Sequence, residues 1–154
     1  MTDEQKNPLR KILLMNYPGE HIEEGDFIFS ADKSVLIGIL NDEMECWKVP
    51  SSVKEILPAA LRFTDINQLE VEENHPCFAA VDGVLFSKDM KTLIYYPPCA
   101  IRQVYRMPEG VEKLAPGAFE AFDMRQRPLS VIVKDLNFPL RQLFSYNFID
   151  PDYE

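Results

Sequence analysis

This sequence has no long apolar run, only two histidines and no excess of positive charge, and each shortage removes a class of protein. The one apolar run near its start, Ile12 to Met15, is too short for a signal-peptide core and far too short for a membrane span. The expectation is therefore a cytoplasmic protein without a membrane span, or a secreted or surface protein if a leader has been removed. Cysteine is sparse: Cys46, Cys77 and Cys99 are odd in number and show no CxxC spacing. That argues against a disulfide framework and for a reducing compartment, with Cys77 and Cys99 read as small buried apolar side chains. His21 and His75 have no second His or Cys at metal-ligand spacing, so no metal or cofactor is expected, and both read as solvated residues in loops before hairpins. Dinucleotide, P-loop, serine-hydrolase, zinc-protease and EF-hand signatures are all missing.

Sixteen Lys and Arg stand against 25 Asp and Glu, giving a formal charge of −9. Such a polyanion lacks the positive footprint that phosphate binding needs, so nucleic acid is excluded as a partner class. A basic protein would be steered toward it, although solubility alone also accounts for acidity. The acidic pairs, Glu23-Glu24 and Glu70/Glu72/Glu73, read as solvated faces rather than as paired catalytic carboxylates.

What is present is a repeat. Twelve prolines against six glycines over 154 residues imply many short extended pieces rather than long helices. Phe29/Phe86, Ser30/Ser87, Asp32/Asp89, Leu36/Leu93 and Ile37/Ile94 all fall 57 apart. Trp47/Tyr105, Val49/Met107, Pro50/Pro108, Val53/Val111, Ile56/Leu114 and Pro58/Pro116 fall 58 apart, and Leu69/Leu129 and Val71/Val131 fall 60 apart. One unit is used twice, with small insertions between matched segments.

Each copy reads as a meander. In the second, Asp82-Gly83 between Phe78–Val81 and Val84–Phe86 is a strong hairpin signal, because both turn residues tolerate positive φ. The polar turn 87–91 and a third strand, Thr92 to Tyr96, follow. In the first copy Glu24-Gly25-Asp26 makes the hairpin turn, Phe27 and Phe29 share a strand face, and Val35 to Leu40 returns. Each meander leads to a proline-ended strand, Cys46–Val49 or Val104–Met107. Val53 with Ile56, and Val111 with Leu114, are spaced for a short helical turn facing the core. A last strand closes each copy, Leu69–Glu72 or Leu129–Val133. Residues 8–15 (PLRKILLM) predict a helix opened by Pro8, and residues 136–148 a terminal helix opened by Pro139; an acidic tail, 150–154, follows.

The segments DGVLFS (82–87), TLI (92–94), PEGV (108–111) and Ala118-Phe119 resemble the BspA-like leucine-rich repeat proteins of bacteria and some protists. The first copy matches through FSAD (29–32), Leu36-Ile37 and VPSSV (49–53). The resemblance covers roughly residues 22–133 and implies a curved solenoid with hairpin insertions that binds proteins or surfaces through exposed faces, with no catalytic residues. The fold class expected is mainly β with short helical turns, and the two terminal helices read from the residues would cap the solenoid. The organisation expected is one domain over 1–154: a cap (1–21), unit one (22–72), unit two (73–133), and a second cap with tail (134–154).

Strand alternation turns Trp47, Val49, Tyr105 and Met107 inward. Lys48, Glu70, Glu72, Arg106, Ile132 and Lys134 then point outward, on what parallel stacking would make one continuous mixed-charge surface. Such a surface suits protein recognition. The function expected is a non-enzymatic adaptor or scaffold binding another protein. The alternatives are an immunity-type protein neutralising a basic toxin, and a surface or secreted adhesin-like repeat.

Overall fold

The structure is a computed structural model that describes residues 1–97, 104–119 and 130–132. Helix α1 (Asp3–Leu14) opens the chain, followed by β1 (His21–Glu24), β2 (Phe27–Ser30), β3 (Val35–Ile39), β4 (Cys46–Val49), β5 (Glu55–Ile56) and β6 (Gln68–Val71). The second set is β7 (Phe78–Val81), β8 (Val84–Ser87), β9 (Thr92–Tyr95), β10 (Val104–Arg106), β11 (Lys113–Leu114) and β12 (Ser130–Ile132). The expected terminal helix 136–148 and the acidic tail lie outside the described residues, as do Cys99 and Lys134.

The two sets are hydrogen-bonded on one plan. Sheet β1-β2-β3-β5 recurs as β7-β8-β9-β11, and the parallel pair β4-β6 recurs as β10-β12. Even the irregularity repeats: the register shifts between Ile28 and Phe29 in one unit and between Leu85 and Phe86 in the other. The turns explain why. Val81 pairs with Val84, leaving Asp82 (φ 52°) and Gly83 (φ 81°) as a two-residue turn whose positive angles match the twist of the strands.

At the next turn, Ser30 Oγ donates to Asp32 Oδ1 (2.8 Å), which also accepts from Ser34 N (3.0 Å), while Val35 N donates to Ser30 Oγ (3.0 Å). Ser87, Asp89, Lys91 and Thr92 repeat this at 2.7, 3.0 and 3.0 Å. These side chains replace backbone partners where the chain passes through positive φ at Lys33 (62°) and Met90 (63°).

Three sequence expectations need correcting. Ile56 and Leu114 lie not in helical turns but in two-residue strands, paired in parallel with β3 and β9. Backbone bonds such as Leu57 N to Leu36 O (3.1 Å) and Ala115 N to Leu93 O (2.8 Å) draw these segments into the sheets, and the spacing of three still turns both side chains inward. Helix α1 begins five residues earlier than Pro8. Thr2 and Gln5 form a reciprocal capping box with Asp3 and Glu4 in the first turn, and this start overrides the proline, which sits inside the helix. Finally, β4-β6 and β10-β12 are two separate ribbons rather than one continuous strand surface.

The cores repeat as well. Phe29, Leu36, Ile39, Trp47, Val49, Val53, Ile56, Ala60 and Leu61 form the first cluster. Their counterparts Phe86, Leu93, Tyr96, Tyr105, Met107, Val111, Leu114, Ala118 and Phe119 form the second. The meander's other face differs in its cover. In unit one Ile28 and Ile37 pack with Leu13 of α1, whereas in unit two Leu85 and Ile94 pack into the core of unit one. Gly38 lets the helix approach, since a Cβ there would stand 2.3 Å from Leu13 Cδ1. Lys6 Nζ to Asp26 Oδ1 (2.8 Å) and Arg10 Nε to Glu23 Oε1 (2.5 Å) tie α1 to the first hairpin.

Candidate binding surface

Alternation along β4 and β6 places the side chains as pattern predicts. Trp47, Val49 and Leu69 are buried, while Lys48, Glu70 and Glu72 are exposed. Lys48 stands opposite Glu70 in the parallel register, yet its Nζ reaches past to Glu72 Oε1 at 2.7 Å. The hydrogen bond to Glu72 raises the Lys48 pKa. Glu70 instead accepts from Gln68 Nε2 at 2.9 Å. Cys46, exposed at the start of β4, has its thiol pKa raised by partial desolvation and by the Glu70 carboxylate.

On the second ribbon, Tyr105 and Met107 are buried and Arg106 is exposed, paired in register with Ile132 of β12. Of the six residues expected to form the surface, the structure thus presents Lys48, Glu70, Glu72 and Arg106 outward and places Ile132 beside Arg106. Lys134 lies outside the described residues.

Between the ribbons lies an open cleft of about 820 Å³. Its walls are Lys48, Gln68, Glu70 and Val71 on one side and Tyr105 and Arg106 on the other; Ala80, Asp82 and Gly83 of the second hairpin also line it. The hairpin turn docks on the edge of β6. Leu69 N donates to Gly83 O at 2.8 Å, so part of the edge of β6 that could have met β10 is taken by the turn. Gly83 is required there twice over: its φ is positive, and a Cβ would stand 3.2 Å from the Gln68 Cα. The sequence showed the hairpin but not where its tip docks, because no local pattern encodes that contact.

His75 corrects the solvated-loop reading. It is fully buried, its Nδ1 accepts from Cys77 N (3.1 Å) and Phe78 N (3.2 Å), and its Nε2 lies 2.9 Å from the Pro50 carbonyl. With Nδ1 accepting twice, the ring proton sits on Nε2 and is donated to Pro50, joining the end of β4 to the start of β7. A polar neighbourhood, Glu72 to Pro76, hid this role from sequence reading. His21 is exposed, in β1 rather than a loop, and Cys77 is half-buried against the first core. Among the described residues, no group of three or more His, Cys, Asp or Glu could hold a metal ion, and no helix is long and apolar enough to cross a membrane.

No family model matches the sequence, and no curated protein matches it. The chain is similar to a solved structure, the pneumococcal vaccine antigen PcpA. That match has 32% identity and a TM-score of 0.51, and covers 62% of this chain. This chain spans only 23% of PcpA. A leucine-rich repeat protein from Eubacterium ventriosum is also matched, at 19% identity and a TM-score of 0.49, over 58% of this chain and 23% of that one.

Proposed function

We propose that this chain is a non-enzymatic protein-interaction module of the leucine-rich-repeat kind, an open stack of two units with α1 as its N-terminal cap. The observation that carries the reading is the cleft of about 820 Å³ between two charged, outward-facing strand ribbons. Rigid strands present Lys48, Glu70, Glu72 and Arg106, and the hairpin turn gives the surface relief. Recognition surfaces are built in this way, with charged groups around a concave centre. The likeness to PcpA supports the repeat architecture and leaves the partner open.

The formal charge of −9 favours a basic partner, which long-range attraction would bring to the surface quickly. An immunity-type protein that neutralises a basic toxin is the specific version of this reading, and a cytoplasmic setting goes with it. The test is affinity capture from the native cell at low and high salt. A cationic protein captured at about 0.05 M salt and largely released at about 0.5 M is the expected result, because screening shortens the range of exposed charges severalfold. Capture that ignores salt would count against a basic partner, and no captured protein at all would count against the module.

A further inference from the structure

The cleft has walls with the chemistry of polypeptide backbone. Strand β6 is hydrogen-bonded to β4 along one edge, and β10 joins a sheet through β12. On the edge of β6 away from β4, the Leu69 N–H is taken by Gly83. Backbone groups of alternate residues point to the same side of a strand, so Val71, two residues on, directs its N–H and C=O the same way, into the cleft it lines. Strands β6 and β10 belong to different sheets.

We propose that the cleft binds an extended segment of a partner protein, added to the edge of β6 at Val71, where the hairpin turn ends, with Arg106 on the facing wall. This rests on the interaction-module reading and specifies its partner chemistry. Charge selects the segment. The β6 wall carries Glu70, with Glu72 beyond it held by Lys48, and the β10 wall carries Arg106. An extended chain alternates its side chains, so it can set a Lys or Arg beside Glu70 and a carboxylate beside Arg106 from one face. The backbone supplies affinity and these two positions supply register, as in other strand additions to sheet edges. Ala80, small and half-buried in the cleft lining, leaves room for the segment.

The probe is a display library of random linear dodecapeptides, selected on the full chain and counter-selected on Ala80→Phe, which puts a bulky side chain in place of a small one in the cleft lining. Selected peptides should carry Lys or Arg two or four residues from Asp or Glu. They should shift the amide resonances of Val71 and Arg106, and lose about tenfold or more in affinity when alternate backbone nitrogens are methylated. Glu70→Lys should reverse the charge preference at one position, and the same near-ultraviolet spectrum as the parent protein shows that it is folded. Equal enrichment on Ala80→Phe, or affinity indifferent to N-methylation, would overturn the added strand. A cellular partner captured equally well by Ala80→Phe would also overturn it, while leaving the module itself standing.

Discussion

The same meander is built twice and covered in two ways. Ile28 and Leu85 are equivalent positions, 57 apart, and both are fully buried. Ile28 is covered by a helix that the chain supplies before the repeat begins, whereas Leu85 is covered by the preceding repeat. The difference is written at the next equivalent pair. Unit one has Gly38, which lets Leu13 of α1 lie against the strand; unit two has Tyr95, whose hydroxyl donates to the Pro58 carbonyl of unit one at 3.1 Å. A repeat can therefore keep its inner core apolar at the same positions while its outer face adapts to whatever precedes it. This is nearest-neighbour stabilisation, in which each unit depends on the layer before it.

The comparison can be broken first at the joint. His75→Ala leaves the Pro50 carbonyl and the Cys77 and Phe78 N–H groups without their partner, and should cost about 3 kcal/mol in urea unfolding. His75→Gln, which keeps one acceptor and one donor, should recover part of that loss. Next comes Gly38→Ala, which should cost about 1–3 kcal/mol by pushing on Leu13. Its hydrogen-exchange signature should be local, with faster exchange in α1 and an unchanged second hairpin. Equal acceleration in both would contradict the separate covers. Tyr95→Phe should cost about 1 kcal/mol and act at the other interface.

The paired turns sharpen the comparison through pH. Hydrogen bonds from Ser34 and Ser30 hold the Asp32 carboxyl at about 2, below its ordinary 3.8, and Ser87 and Lys91 lower Asp89 in the same sense. Because the folded value is depressed, the stabilisation is full above about 4 and fades as pH falls through about 2. Asp32→Asn should lower the urea midpoint at pH 7, and its deficit should shrink between pH 4 and pH 2. The smallest effect belongs to Lys48→Ala: an exposed pair with Glu72 contributes under about 1 kcal/mol, so stability should hardly move.

Much of the fold was legible in the sequence because it rests on local chemistry. Asp82-Gly83 dictates its own turn, the polar run 87–91 marks the next, and the alternation of Trp47, Lys48 and Val49 assigns inside and outside. What escaped was decided by contacts distant in sequence. Two-residue strands such as Glu55–Ile56 exist only because β3 offers an edge, and His75 is buried only because Pro50, 25 residues earlier, brings a carbonyl to it. The start of α1 was legible in Thr2 and Gln5 but was masked by the stronger signal of Pro8. The outward residues of the surface were readable from period two; the cleft was not, since it depends on Gly83 docking against Gln68.

Function rests on one claim, that the two charged ribbons and the cleft between them are where this protein meets its partner. The direct measurement is capture of the cellular partner by the triple variant Lys48→Glu, Glu70→Lys, Arg106→Glu, with near-ultraviolet circular dichroism to show that the fold is kept. All three side chains are exposed and line the cleft, so the variant should fold as the parent does and lose capture. A folded triple variant that captures the partner as well as the parent would contradict the claim and move the site to another face.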